Sequence, residues 1–293
     1  MNKAISIYCG ICICLSGIIT VNGQSGVPDP DSLFKAGDYQ RAALYYALKE
    51  FQNEDAGERV LFRFKQAESL KLAGSFAEAA SLLDQTPPFR LDGGMRSRLF
   101  YESVLCHYLS GMPAAAMSRY LQAEVVLQQS EYREEAAMLA VFCHLDLSEW
   151  DKAEALGFEL IESSGTDSAT TARWKHFFDT DQLPELKDPH RAALLSMIIP
   201  GSGQMYAGSW GSGLFNLAIH LATMGGAVAG FTQGYYVTAW LGGLGLFQRF
   251  YQGGVRRAEE LCEMKNRQLV NDYLLPVKLF LIQALQTKAC PST

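Results

Sequence analysis

The longest stretch of this chain without a charged side chain runs from Ala192 to Gln248, 57 residues with no Asp, Glu, Lys or Arg. The rest of the chain is ordinarily charged, so the mean hydropathy of +0.00 averages a polar part with an apolar part. One helix crosses the hydrocarbon core of a bilayer in about 20 apolar residues. The stretch therefore predicts two membrane passes joined by a turn, with the lipid bilayer as a partner.

Charge divides the chain near residue 190. Residues 1–191 carry 18 Lys and Arg against 27 Asp and Glu, whereas residues 249–293 carry 7 against 4. Nucleic-acid binding draws on clustered positive charge, so the acidic soluble part argues against that class of partner. Because the sequence shows neither a nucleophile paired with a base nor metal-ligand spacing, it predicts no enzyme, no cofactor and no metal site.

The first 23 residues have the pattern of an export signal. Lys3 precedes an apolar run from Ala4 to Val21, and small residues precede Gln24. An uncleaved N-terminal anchor is the alternative, since the run is just long enough to span a bilayer. Either interpretation places the following domain outside the cytoplasm.

A gap-free repeat of 37 residues occupies residues 24–165. Its columns hold a small residue, an aromatic residue two positions later and an alanine three further on. The members are Gly37, Gly74, Gly111 and Ser148; Tyr39, Phe76 and Trp150, with Pro113 as the exception; and Ala42, Ala79, Ala116 and Ala153. The small residue suits a helix C-terminus with positive φ, and alanine lets two helices approach closely. A fixed period predicts stacked helix pairs, with an accidental periodicity in a helical bundle as the alternative.

The pattern small–x–aromatic–x–x–Ala resembles the tetratricopeptide repeat. The period of 37 exceeds that family's period of about 34, and the first helices lack its Trp-Leu-Gly signature. The resemblance implies a concave face that binds a protein or peptide partner.

Two Cys-His pairs, Cys106-His107 and Cys143-His144, also lie 37 residues apart. Equivalent positions of neighbouring helix pairs are separated by roughly 10 Å, which is too far for a disulfide or a compact metal site. We expect both pairs to occupy one packing column, with a metal site or disulfide as the alternative.

Residues 166–190 predict a capping helix and a linker. Trp174 is expected to cover the open end of the last repeat, and Pro184 and Pro189 interrupt a polar segment that we interpret as a hinge.

The two-pass domain is predicted over residues 191–252, and it opens with the string PGSGQMYAG. The fixed positions of this motif are Pro200, Gly201, Gly203, Gln204, Tyr206 and Gly208. Proline and glycine predict a sharp turn, and Gln204 and Tyr206 offer hydrogen-bonding groups to its backbone. The motif resembles a two-pass domain of small bacterial membrane proteins, often fused to tetratricopeptide-like repeats. The resemblance implies a location, the bacterial inner membrane, rather than an activity.

The two predicted passes run from Ser212 to about Phe231 and from Tyr235 to about Tyr251. Glycines four residues apart on one face favour close helix packing, either within the hairpin or in a homo-oligomer. These are Gly226, Gly230 and Gly234. Asn216 and His220 share one face of the first pass, which predicts structural hydrogen bonds, with a ligand or conduction role as the alternative.

Residues 253–293 predict a charged helix and an apolar segment, Tyr273–Leu285, that lies in the membrane interface or folds against the repeats. Two features predict opposite orientations of the hairpin. The export signal places its ends outside the cytoplasm, whereas basic residues flank these ends and positive charge prefers the cytoplasm. They are Lys187, His190, Arg191, Arg249, Arg256 and Arg257. The export signal favours an extracytoplasmic, periplasmic repeat domain.

The sequence thus predicts an all-α protein with a tetratricopeptide-like helical solenoid, a two-helix transmembrane hairpin and a helical tail. The predicted function is a membrane-anchored scaffold for a protein or peptide. The alternative is an accessory subunit of a membrane transport or insertion complex.

Overall fold

A computed structural model describes residues 28–286, and these residues are helical, with no β-strand among them. The predicted all-α class is confirmed. The predicted export signal and the last residues of the tail lie outside the described range. The chain forms two compact units that divide between Thr86 and Pro87, inside the predicted repeat region.

The first unit consists of two antiparallel helix pairs. Its helices are α1 (Pro30–Lys35), α2 (Tyr39–Gln52), α3 (Ala56–Leu72) and α4 (Phe76–Asp84). Asp31 accepts hydrogen bonds from Tyr46 of α2 and from Lys65 of α3, so it joins all three helices. Both bonds lower the pKa of the Asp31 carboxyl, and the bond from Lys65 has the larger effect.

The second unit contains two further pairs, a cap and the charge-free region. Its helices are α5 (Gly93–Leu109), α6 (Pro113–Gln128), α7 (Arg133–Asp146), α8 (Trp150–Ser163), α9 (Ser168–His176), α10 (Pro189–Ile198), α11 (Ser202–Tyr206), α12 (Trp210–Thr232), α13 (Tyr236–Thr238) and α14 (Gly245–Gln286). A 3₁₀ turn, Pro88–Arg90, precedes α5, and a π-helix, Ala239–Leu244, joins α13 to α14.

The four small residues of the repeat end the first helix of each pair with positive φ. The angle is 79° at Gly37, 81° at Gly74, 77° at Gly111 and 58° at Ser148. After each, the next backbone N–H bonds to a carbonyl five residues earlier, as Asp38 N does to Leu33 O at 3.0 Å. This is the Schellman arrangement, and it satisfies carbonyls that the helix end leaves free.

The other two columns lie in the second helix of each pair, one at its first residue and one on its buried face. Helices α2, α4 and α8 start at their aromatic residue, and α6 starts at Pro113, whose fixed φ suits a first helical position. All four column alanines are fully buried: Ala42, Ala79, Ala116 and Ala153. Because a methyl group keeps helix axes close, the column fixes the packing within each pair.

Helix α9 caps the last pair. Trp174 is 0% exposed, and its indole N–H donates to the Glu154 carbonyl at 3.0 Å. Gly157 makes the room, because a Cβ there would lie 2.1 Å from the Trp174 ring. The cap predicted at this tryptophan is therefore built from α8 and α9 together.

Candidate functional site

The charge-free region and its flanks form a group of helices, residues 189–260, which we call the membrane module after the location predicted for it. Among the described residues, α12 is the one helix long and apolar enough to cross a membrane, and only 17% of its most apolar window is buried. A core helix of a soluble protein would be mostly buried, so α12 lacks the environment of such a helix. The second apolar segment is divided among α13, the π-helix and the start of α14.

Large apolar side chains cover the outside of this module. The exposed fraction is 65% for Trp210, 69% for Phe215 and 60% for Trp240. The others include Leu214, Leu221, Met224, Val228, Phe231, Tyr235, Tyr236, Val237 and Leu241, with Leu194, Leu195, Met197, Ile198 and Ile199 on and just after α10. Tryptophan and tyrosine therefore lie at both ends of α12, as at the two interfaces of a bilayer.

The PGSGQMYAG motif forms the turn between α10 and α11. The chain reverses direction at Pro200, and α11 packs against α10. Gly201 has φ 93°, and a Cβ there would meet the Gly213 carbonyl at 2.2 Å. A Cβ on Gly203 would meet the Ala192 carbonyl at 1.7 Å. Both glycines are therefore required by close backbone approach, so we assign the motif a structural role.

Polar groups of the motif satisfy the backbone around this turn. The Gln204 amide N–H donates to the Gly254 carbonyl at 3.3 Å. The Tyr206 carbonyl accepts from Lys187 Nζ at 2.8 Å, and its hydroxyl accepts weakly from the Asp188 backbone N–H at 3.4 Å. A turn whose backbone groups are not paired within a helix needs such partners.

The helix-pair turn of the repeats recurs twice in the membrane module. Gly208 has φ 86° and Gly234 has φ 81°, and each shows the same pair of Schellman hydrogen bonds. An aromatic residue follows two positions later and a small residue five positions later, namely Trp210 and Gly213, then Tyr236 and Ala239. We predicted neither recurrence, although the small–x–aromatic–x–x–small pattern is present in the sequence without the 37-residue spacing.

The two segments on either side of the second turn, α12 before it and the chain from Tyr236 after it, pack antiparallel through small residues. A Cβ on Gly230 would lie 2.8 Å from Ala239 Cβ, and one on Gly243 would lie 2.4 Å from Ala227 Cβ. Of the three predicted packing glycines, Gly230 packs within the hairpin and Gly234 forms its turn. Gly226 has open space around it.

Asn216 and His220 point inward, toward α14. His220 Nδ1 lies 2.7 Å from the Asn216 carbonyl, and its ring meets Phe247 edge-on at a centroid distance of 5.1 Å. Asn216 lies against Gly254, where a Cβ would be 2.3 Å from its amide nitrogen. The structure thus brings Gln204, Asn216 and His220 to one face of α14.

Helix α14 links the membrane module to the repeats. It runs for 42 residues without a break, so the boundary predicted between residues 252 and 253 falls inside a helix. Its buried residues Leu274, Val277 and Leu281 belong to the same core cluster as α7, α8 and α9. Of the two predicted positions for the apolar tail, the structure shows the one against the repeats.

A lysine anchors this contact. Lys278 Nζ donates to Asp146 Oδ1 at 2.5 Å and to the Tyr108 hydroxyl at 2.9 Å. It also lies over the rings of Tyr108 and Phe142, at 5.5 and 5.7 Å from their centroids. These partners come from the first helices α5 and α7, so we define them as the lysine socket, and α14 covers the first-helix face there.

Burial shapes the chemistry of the lysine socket. It raises the pKa of the Tyr108 phenol, and the Asp146 carboxylate raises it further. Burial also raises the pKa of the Cys143 thiol to about 12, again with a contribution from Asp146. A thiol that stays protonated is a poor nucleophile and a poor metal ligand, so Cys143 fits a packing role.

The linker before the module is tied to α14. Asn266 bonds the backbone of Lys187 through both its side-chain atoms, at 3.0 and 2.6 Å. The Tyr273 hydroxyl donates to the Phe177 carbonyl at 2.7 Å. The segment that we interpreted as a hinge is therefore held at both ends by one helix.

The structure therefore contains two candidate functional sites, the lysine socket and the interior of the membrane module. Within residues 28–286 no group of three or more His, Cys, Asp or Glu side chains is placed to hold a metal ion. No family model matches the chain, and no curated protein or solved structure shows significant similarity to it.

Proposed function

We propose that the protein is a membrane-anchored repeat scaffold of the bacterial envelope, which holds a protein or peptide partner at the membrane surface. The observation that carries the proposal is α14, one helix that begins in the apolar hairpin and ends in the core of the repeats. A continuous helix transmits position more rigidly than a loop would. The helix pairs of the second unit, α5 to α8, would therefore be held at a fixed place relative to the bilayer.

The anchor in this proposal is a two-pass hairpin. Helix α12 has 23 residues, about 35 Å at 1.5 Å per residue, which suffices for a hydrocarbon core of about 30 Å. Its antiparallel partner, from Tyr236 into α14, would return to the side from which α12 started. The uncharged turn at Thr232, Gln233 and Gly234 costs little to transfer across a bilayer.

The partner surface is proposed to be the concave face of a tetratricopeptide-like solenoid formed by the first helices. In the second unit α14 already covers α5 and α7 on this face. We therefore assign the partner to the first unit, residues 28–86, where the first helices are α1 and α3. Leu61 of α3 is 39% exposed and is suited to carry a probe.

Photo-crosslinking would test the partner surface. A photoreactive residue replacing Leu61 in the membrane-embedded full chain should give one discrete crosslinked species. The same probe replacing Leu269, an exposed residue of α14, should not give that species. Equal labelling from both positions, or none from Leu61, would overturn the assignment.

Protease protection would test anchoring and sidedness. Tags after residue 24 and at the C-terminus should both be cleaved in intact spheroplasts if the repeats are extracytoplasmic. Protection of both until the membrane is opened would reverse the orientation and agree with the basic residues beside the module. Tags on opposite sides would refute the two-pass hairpin.

A second candidate is an accessory subunit of a membrane transport or insertion complex, and the buried polar residues Asn216 and His220 favour it. Under this proposal His220→Leu should disturb the assembly or its phenotype while the protein still reaches the membrane. An unchanged phenotype at normal protein level would remove the candidate.

Homo-oligomerisation through the hairpin is a related proposal, and it rests on the open space at Gly226. Gly226→Leu should shift the detergent-solubilised protein to a smaller species on size-exclusion chromatography with light scattering. A monomeric wild-type protein would refute it.

A further inference from the structure

Three buried side-chain atoms inside the membrane module have no hydrogen-bond partner within residues 28–286: Gln204 Oε1, Asn216 Nδ2 and His220 Nε2. The residues are 2%, 9% and 3% exposed. Buried polar groups of folded proteins are nearly always hydrogen-bonded, because an unmet donor or acceptor carries the full cost of desolvation. The cost is no lower beside lipid, where water is scarce.

The three side chains converge on one face of α14. Gln204 bonds the Gly254 carbonyl at 3.3 Å, and Asn216 lies against the α-carbon of the same glycine. His220 is one helical turn further along α12, with its ring edge-on to Phe247 and Tyr251 at centroid distances of 5.1 and 6.4 Å. Since Gly254 has no side chain, it leaves the two amides side by side.

The hydrogen bonds already formed fix what each free atom can do. A carbonyl only accepts, so His220 Nδ1 must carry the hydrogen in its bond to Asn216 O, and Nε2 of the neutral ring is a free acceptor. Gln204 donates through its nitrogen, so Oε1 is a second free acceptor. Asn216 Nδ2 is a donor. The cluster therefore presents two acceptors and one donor.

This set selects a neutral guest. The guest must donate two hydrogen bonds and accept one, and water offers both functions. A cation would meet the Asn216 N–H, and an anion would meet two lone pairs. The contacts described for the three residues are to backbone carbonyls, Gly254, Phe247 and Tyr251, and none is to a charged side chain that could compensate a buried charge.

We propose that Gln204, Asn216 and His220 form an internal site that binds a water molecule within the membrane module. The site goes beyond the scaffold role, because it places an imidazole in contact with water at a depth where lipid surrounds the protein. It also gives Gln204 of the PGSGQMYAG motif a second role beside its bond to Gly254.

Nitrogen NMR of the full chain in lipid nanodiscs would test the site, with histidine labelled with ¹⁵N. We expect the His220 signals of a neutral ring with hydrogen on Nδ1, an Nε2 shift typical of a hydrogen-bonded acceptor, and magnetisation transfer from water to the ring. His220→Leu identifies the signals by their loss. His190, which is exposed, reports bulk water in the same sample.

Variants of the other two residues of the site test whether the His220 signals depend on the bound water. Asn216→Leu and Gln204→Leu should each move the Nε2 shift toward that of a free lone pair and weaken the transfer from water. Thr232→Val is the matched control, because the Thr232 hydroxyl also bonds a carbonyl of α12, that of Ala229, and lies 12 residues from His220. A wild-type Nε2 with a free lone-pair shift, no transfer from water, or hydrogen on both ring nitrogens at neutral pH would each overturn the proposal. The wild-type spectrum decides the question even where a variant fails to fold.

Discussion

The lysine socket allows a quantitative prediction about how α14 is held. Lys278→Met keeps the length and apolar stem of the side chain but removes the ammonium group from Asp146 and Tyr108. The end of α14 should then separate from α5 and α7 more often, while its contact with the membrane module persists.

The magnitude follows from the burial of the pair. The side chains of Lys278 and Asp146 are 20% and 25% exposed, so their environment lies between a surface pair and a core pair. Exposed pairs contribute about 0–1 kcal/mol, whereas removal of one partner of a buried pair costs about 3–5 kcal/mol. We expect Lys278→Met to cost about 2 kcal/mol, with about 0.5–1 kcal/mol from the aromatic faces of Tyr108 and Phe142 included.

Hydrogen exchange with mass spectrometry on the detergent-solubilised full chain is the direct assay. Lys278→Met should speed exchange in the last turns of α14, after Tyr273, and leave the segment around Gly254 unchanged. Lys265→Met is the control, since Lys265 lies on the same helix and is exposed, with one weak bond to Gln268 at 3.4 Å.

A double-mutant cycle would establish the cause. Asp146→Leu alone should also loosen the helix end. The combined variant Lys278→Met, Asp146→Leu should recover part of the loss, because neither charge is then left unpaired. If Lys278→Met were as mild as Lys265→Met, or if the two effects simply added, the socket would contribute nothing specific and the reasoning would fail.

Further outcomes are expected from three glycines, a serine and a cysteine. Gly203→Ala should destabilise the protein by about 3 kcal/mol or more, because the added Cβ would overlap a carbonyl oxygen. Gly211→Ala is the control and should not destabilise it, since the space around Gly211 is open. Thermal unfolding followed by circular dichroism compares the two variants. Gly111→Ala should cost about 1 kcal/mol through its positive φ, and Ser148→Gly should gain up to about that amount, measured by denaturant unfolding. Burial raises the Cys143 pKa to about 12 from an ordinary value near 9, so its stabilising contribution is full below pH 9 and is lost as pH rises toward 12. Cys143→Ala should flatten that alkaline decline, and native Cys143 should resist alkylation at pH 8; rapid labelling would contradict its burial.

The helix-pair turns were accessible from the sequence because their chemistry is local. A residue that must adopt positive φ, and an alanine that must be small, are selected within one turn of the chain. That is why the repeat columns coincide with helix ends. The turns at Gly208 and Gly234 obey the same local rule, but they lie outside the spacing of 37 residues that marks the repeat.

The position of the tail was not accessible in the same way. Tyr273–Leu285 is apolar enough for either lipid or protein, and its sequence contains no preference between them. The ion pair of Lys278 with Asp146 joins residues 132 positions apart, and the bond of Gln204 to Gly254 spans 50. Such contacts depend on how complete helices pack, which periodicity does not encode.

The sequence by itself therefore determined the all-α class, the places where helix pairs turn, and the location of the charge-free region, Ala192–Gln248. Each follows from the conformational preference of a residue or the solvation of its side chain, and neither depends on contacts with distant parts of the chain. Tertiary structure alone decided that α14 continues from this region into the repeats, that Gly201 and Gly203 serve close backbone approach, and that three polar side chains face α14. These depend on which surfaces of distant helices are complementary, and that is a property of the folded chain.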